Sequence, residues 1–257
     1  RHKGSGAHVL RIIMAVAACD AWTKSSSGRT EQFAYQDAPQ RECWRMADLL
    51  RQGDAVAALE DSQGRSLLQR MAPIGLEAFH RWSAAWEPQA ANGYCGPASA
   101  LAALRFLEME ASWTQSKIME EVIIPNSLFT QGLSLSNGAT MLRILGAGRF
   151  QTIKTSSFDE AEVAEQLKCD LSAAFQQGDR ICLLVNYPRL GSGHWSPIGG
   201  WSNDHILILD TNSQKLPPYW VHINALTQSM CRLNRATGQP RGYLLLRPTS
   251  PKENLLM

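Results

Sequence analysis

The texture of this chain changes at Gly178, and that change restricts its fold more than any other feature. Beyond it come short apolar or β-rich runs bounded by Gly, Pro, Asn and Asp: Ile181–Tyr187, His205–Leu209, Tyr219–Ile223 and Gly242–Leu246. Such runs read as strands. Before it, apolar residues recur at helical spacing: Met46, Leu49 and Leu50, then Leu67, Leu68 and Met71. The clearest helix runs from Ala98 to Glu110, with Ala100, Ala103, Leu104 and Leu107 on one face. Pro97 fits its first turn, where a missing N–H has no helical partner. Another helix starts near Ser157, where Glu160 three residues on completes a capping-box pattern, and it ends at Gly178. Helices first and strands last predict an α+β domain, with a helical N-terminal lobe and a C-terminal antiparallel sheet. Residues 20–42 are polar and contain Ser and Gly. The expected organisation is therefore an N-terminal arm or targeting segment over 1–42, one domain over 43–250 and a tail over 251–257.

Composition excludes several function classes. With 257 residues, 19% charged, 44% apolar and a formal net charge of +2, the profile is that of an ordinary folded domain. Lys and Arg are scattered, which suggests neither nucleic acid nor an acidic membrane surface. Cys19, Cys43, Cys95, Cys169, Cys182 and Cys231 are widely spaced, with no C-x-x-C pair, so reduced thiols are expected and a protein metal site is not. The run Ala7–Cys19 after Arg1-His-Lys3 has the outline of an export signal, but Arg11 interrupts it and 13 residues cannot span a bilayer. The compartment stays open between cytoplasm and export.

The chemistry centres on Asn92-Gly-Tyr-Cys-Gly-Pro-Ala-Ser99, directly before the Ala/Leu-rich helix. A lone cysteine is usually structural. Here, though, the N–H groups and partial positive charge of a helix start would favour thiolate over thiol and could hold a developing oxyanion. The best base is His194, in Gly191-Ser-Gly-His-Trp-Ser-Pro-Ile-Gly-Gly200, between glycines that allow a tight approach. Asp210 ends the HILIL strand, where an adjacent strand could set it against the imidazole. Gln89 lies six residues before Cys95, within reach of the same oxyanion. Each has a bland reading alone, as turn histidine, turn acid or surface amide. Together, in the order Gln, Cys, His, Asp, they match a papain-like arrangement.

EPQAANGYCGPASALAAL, GHWSPIGGW, ILD followed by LPPYWV, and TGQPRGYLLLRP resemble successive blocks of the phytochelatin synthase catalytic domain. That papain-like family comprises glutathione γ-glutamylcysteinyltransferases, and the likeness runs from about Gly64 to Pro248. The resemblance implies Cys95 as nucleophile, His194 as general base and acid, Asp210 as its orienter and Gln89 in the oxyanion hole. It implies Arg241, with Gly193 and Lys215, in substrate binding, Arg241 suiting the γ-glutamyl carboxylate. The implied substrate is glutathione, with no tightly bound cofactor. Cd or Zn would enter as a glutathione thiolate complex, and the resemblance leaves room for a homodimer. Three departures favour hydrolysis over chain extension. Ser213 stands three residues after Asp210, where the family usually has a basic residue, leaving Lys215. The connection from Asn186 to His194 is short, and only nine residues follow Pro248, with no Cys-rich domain. Two other readings remain. A peptidase of another substrate class, such as a bacteriocin-leader peptidase, would lack the PIGG and PP-x-W-V blocks. A non-catalytic thiol or metal-binding protein has no need of the four-residue set.

Overall fold

The computed structural model describes residues 57–249 apart from 110–111, 130–131, 179 and 190–191. The arm over 1–42, the helical pattern at Met46–Leu50, Cys19, Cys43 and the tail over 251–257 lie outside the described residues.

Nine strands are present among the described residues: β1 (Ala57–Ala58), β2 (Phe150–Thr155), β3 (Cys182–Arg189), β4 (Ser192–Ser202), β5 (His205–Ile208), β6 (Tyr219–His222), β7 (Leu233–Asn234), β8 (Gln239–Pro240) and β9 (Gly242–Pro248). Seven form one sheet in the order β1-β6-β5-β4-β3-β9-β2, and β7 and β8 pair separately. Every pairing is antiparallel. The helices are α1 (Ser62–Gln69), α2 (Pro73–Ala85), α3 (Cys95–Phe106), α4 (Gln115–Lys117), which runs into a π-helical turn at Ile118–Ile123, α5 (Leu135–Gly146), α6 (Glu160–Phe175) and α7 (Ile223–Met230). The α+β expectation with an antiparallel sheet therefore holds. The sharp division along the chain does not. β1 and β2 come from the first two-thirds and take the two edges of the sheet, while α7 sits among the C-terminal strands.

The continuous apolar run of β3 follows from cover on both faces. Cys182 points its Sγ at the Ala103 carbonyl of α3, 3.8 Å away. On β9, Tyr243 points the other way, because successive side chains alternate, and its hydroxyl donates to Asp170 of α6 at 2.6 Å. Helix α3 departs from the one-faced expectation, since every residue from Gly96 to Leu104 is buried. Its alanines fold readily as helix and let it sit close within the core. It also starts earlier than periodicity indicates, with Cys95 as its first residue, and stops at Phe106, before Glu108 turns to φ 54°. In α6 the cap is Asp159, whose Oδ1 accepts from the N–H groups of Ala161 and Glu162, while Ser157 accepts from Asp159 instead.

The segment Ser192–Ser202 is the principal correction, since it is not among the expected strands and it is an 11-residue strand. Gly199 is needed for packing, because a Cβ there would lie 2.6 Å from Leu209 Cγ, and the register shifts between Ile198 and Gly200. This strand carries His194 into the middle of the sheet.

Candidate active site

Cys95 opens α3 and is the partly exposed thiol at its start. Burial opposes its ionisation, but a hydrogen bond and the charge of His194 outweigh that, helped by the backbone N–H groups of Trp195 and Gly96, and the thiol pKa falls below its ordinary value. Cys182 shows the contrast, since burial pushes its thiol well up and outweighs the charges of Arg81 and Arg180. Cys95, Cys169, Cys182 and Cys231 are all free.

His194 lies opposite Tyr187 across the β3–β4 pairing, with the two rings edge-to-face at 5.8 Å. Its Nε2 meets Asp210 Oδ1 at 3.0 Å, which fixes the ring and leaves Nδ1 for the sulfur. Burial favours the neutral ring, yet the bonds and charges of Asp210 and Cys95 raise the His194 pKa above its ordinary value. The two shifts converge on a thiolate–imidazolium pair. Asp210 reaches this position because the chain after β5 stays beside β4: Leu209 donates its N–H to the Pro197 carbonyl at 3.0 Å, and Thr211 Oγ1 donates to the Trp195 carbonyl at 3.1 Å. Asp210 is fully buried and its oxygens are all engaged. Oδ1 also accepts the Asn212 N–H at 2.8 Å, and Oδ2 accepts from Arg189 Nη1 at 2.9 Å.

Gln89 is docked on the same segment, its N–H donating to the Thr211 carbonyl at 2.7 Å. Its Nε2 donates to the Ala91 carbonyl at 2.9 Å, leaving one amide hydrogen, while its buried Oε1 has no partner. Gln115 braces this stretch by donating to the Pro88 carbonyl and accepting from the Ala90 N–H. Arg241 is half-buried beside Gly193, where a Cβ would lie 2.6 Å from its Nη1. Nη1 donates to Asn186 Oδ1 at 3.2 Å, and Asn186 Nδ2 donates on to the His194 carbonyl at 3.3 Å. Burial lowers the Arg241 pKa with no carboxylate offsetting it, and its Nε is buried without a partner. Lys215 is exposed on the turn after Asp210. The structure thus joins Cys95, His194 and Asp210, sets Gln89 against the Asp210 segment and Arg241 against Gly193, and leaves Lys215 at the surface.

Arg189, Tyr187, Asn186 and Gln115 are missed by sequence reasoning. Alternation along β3 puts Tyr187 and Arg189 on one face, but their meeting with His194 depends on the register that pairs Arg189 with Ser192. Among the described residues no group of three or more His, Cys, Asp or Glu could hold a metal ion, and no helix is long and apolar enough to cross a membrane. A surface cavity of 690 Å³ lies between β2, β9 and α6, and none of these site residues lines it.

Comparison with known proteins agrees with the sequence blocks. Glutathione gamma-glutamylcysteinyltransferase 3 of Lotus japonicus is 28% identical over 66% of this chain and 38% of its own length. The fission yeast Schizosaccharomyces pombe glutathione gamma-glutamylcysteinyltransferase is 39% identical over 37% of this chain and 23% of its own. Glutathione gamma-glutamylcysteinyltransferase 1 of Arabidopsis thaliana is 24% identical over 66% and 37%. The chain spans under half the length of these curated relatives. The peptidase domain of Streptococcus ComA, a bi-functional ABC transporter, aligns at TM-score 0.42 with 13% identity, over 63% of this chain and 97% of that one, a likeness too loose to argue from. The family model for phytochelatin synthase matches residues 52–243, and the chain belongs to that family.

Proposed function

We propose that this protein cleaves the Cys–Gly bond of glutathione through a γ-Glu-Cys thioester on Cys95 and passes the acyl group to a second glutathione or to water. The observation that carries the reading is the hydrogen-bonded line from Cys95 at a helix start through His194 to the buried Asp210. A thiolate paired with an imidazolium supplies nucleophile and acid together. Cys95 attacks the Cys–Gly carbonyl, and the oxyanion is received by the N–H groups at the start of α3 and by the free hydrogen of the Gln89 amide. His194 then gives its proton to the departing glycine nitrogen as the C–N bond breaks. In the second half-reaction neutral His194 takes a proton from the incoming acceptor, and the thiolate leaves. Asp210 holds the tautomer and orientation of the ring throughout.

The order of the parts is papain-like, with the nucleophile on a helix and the base and its orienter on the sheet. Arg241 supports the substrate assignment. A half-buried guanidinium without a carboxylate partner, beside a glycine that keeps the approach open, suits the α-carboxylate of a γ-glutamyl group. Lys215, exposed on the turn after Asp210, is assigned to the acceptor rather than the acyl donor. A heavy metal ion enters as part of the substrate, bound by glutathione thiolates.

The test is incubation with glutathione, with and without Cd²⁺, with products identified by mass. Free glycine with γ-Glu-Cys marks hydrolysis, and (γ-Glu-Cys)₂-Gly marks transfer. Turnover that survives Cys95→Ser would refute the reading.

A further inference from the structure

We propose that Gln115 is a positioning residue for the oxyanion hole, holding Gln89 at the angle from which its amide meets the tetrahedral intermediate. The proposal rests on the acyl-enzyme reading above and deepens it by naming what aims the side-chain donor. Gln89 sits on the irregular segment between α2 and α3, where neither helix nor strand sets the direction of a side chain. Its neighbours Pro88 and Ala90 are exposed, so packing does not hold the segment either. Hydrogen bonds from outside the segment do.

Gln115 is the first residue of α4, 5% exposed, and its whole amide is committed to this stretch. Its Nε2 donates to the Pro88 carbonyl and to Glu87 Oε1, each at 2.9 Å, and its Oε1 accepts the Ala90 N–H at 2.8 Å. The Pro88 carbonyl belongs to the peptide group before Gln89, and the Ala90 N–H to the one after it. The first of these groups is held at its other end too, since the Gln89 N–H donates to the Thr211 carbonyl at 2.7 Å. Peptide groups are planar, so orienting one on each side fixes φ and ψ of Gln89 and with them the direction of its Cα–Cβ bond. The brace is also tied to the helix of the nucleophile. α4 packs on α3, and Arg105 of α3 donates to Glu87 Oε2 at 2.7 Å. The N–H groups at the start of α3 and the Gln89 amide are thereby kept in one frame. Alignment of this kind matters, because a displacement of about 1 Å can cost on the order of 100-fold in rate.

Gln115→Met, which removes all three bonds at similar side-chain length, should slow the rapid-quench burst of glycine from glutathione by about 10-fold. The glutathione concentration that half-saturates the burst should stay within about 2-fold, since the oxyanion forms only beyond the ground state. Gln89→Ala should itself slow the burst by about 100-fold. In that background Gln115→Met should change it by less than about 2-fold, because no amide is left to aim. Iodoacetamide alkylation of Cys95 should keep its wild-type rate in Gln115→Met, since displacement of iodide forms no oxyanion. If Gln115→Met does not fold, Gln115→Asn, which stays polar but is one methylene short of the segment, carries the same comparison. A burst at the wild-type rate, an equal slowing in both backgrounds, or alkylation slowed as much as the burst would overturn the proposal. A Gln89→Ala burst at the wild-type rate would instead remove Gln89 from the oxyanion hole, and a wild-type protein that releases no burst would overturn the acyl-enzyme reading beneath both.

Discussion

Gly138→Ala tests how the packing of α5 supports the chemistry. A Cβ at this position would lie 2.7 Å from Cζ2 and Cη2 of Trp195. Comfortable carbon contacts are about 3.5–4.0 Å, so the ring must retreat by roughly 1 Å. It has little room, being 2% exposed and tied by its Nε1 to the Leu133 carbonyl at 2.8 Å. Overpacking of this kind costs about 1–3 kcal/mol, and losing the buried indole bond costs a similar amount. Replacing glycine by alanine in a helix returns about 1 kcal/mol. The expected net loss is about 3 kcal/mol, a Tm lower by roughly 6–12 °C for a domain of this size. Activity should fall as well, because Trp195 adjoins His194 and its N–H favours the Cys95 thiolate. The assay is thermal and denaturant unfolding of Gly138→Ala in two backgrounds, wild type and Trp195→Phe. Phenylalanine lacks the two clashing atoms, so the alanine should cost little there. An unchanged midpoint in the wild-type background, or an equal loss in both, would refute the reasoning.

Iodoacetamide alkylation of Cys95 should follow a thiol that ionises below the ordinary cysteine range. In His194→Ala the midpoint should rise, since burial then acts with much less opposition. A mass-mapped pH profile checks both. Arg241→Met should weaken glutathione binding by about 10–100-fold, the worth of a hydrogen bond to a charged group, and appear chiefly in KM if the guanidinium holds the γ-glutamyl end equally in ground and transition states. Stability should fall on the alkaline side. Burial is the main cause raising the pKa of Tyr187, Tyr219 and Tyr243, so the folded state keeps phenol protons that the unfolded chain loses above about pH 10. Their contribution is fully present below that pH. Above it each costs about 1.4 kcal/mol per pH unit, and urea midpoints measured between pH 9 and 11 should show the decline.

Cys95, His194, Asp210 and Gln89 were legible as candidates through their order along the chain, since each alone reads as a buried thiol, a turn histidine, a turn acid or a surface amide. The central helix and four of the described strands, β3, β5, β6 and β9, were legible because period and punctuation are local properties. β4 was hidden because its glycines answer to Leu209 and Arg241, residues distant in sequence, and not to a turn. β2 was hidden because an edge strand with an exposed, mixed pattern resembles a loop until β9 pairs with it.

The sequence by itself therefore determined the α+β class and offered the candidate groups for chemistry. Only the tertiary structure decided that β3 and β4 pair with Arg189 against Ser192, and hence that Tyr187 faces His194 and Arg189 shares its side of the sheet. The same fold brings the segment after β5 back along β4, so the fully buried Asp210 meets both His194 and Arg189. Register is a non-local property, because one residue of slip turns every side chain to the opposite face. Contacts that depend on register could not be read from the order of residues alone.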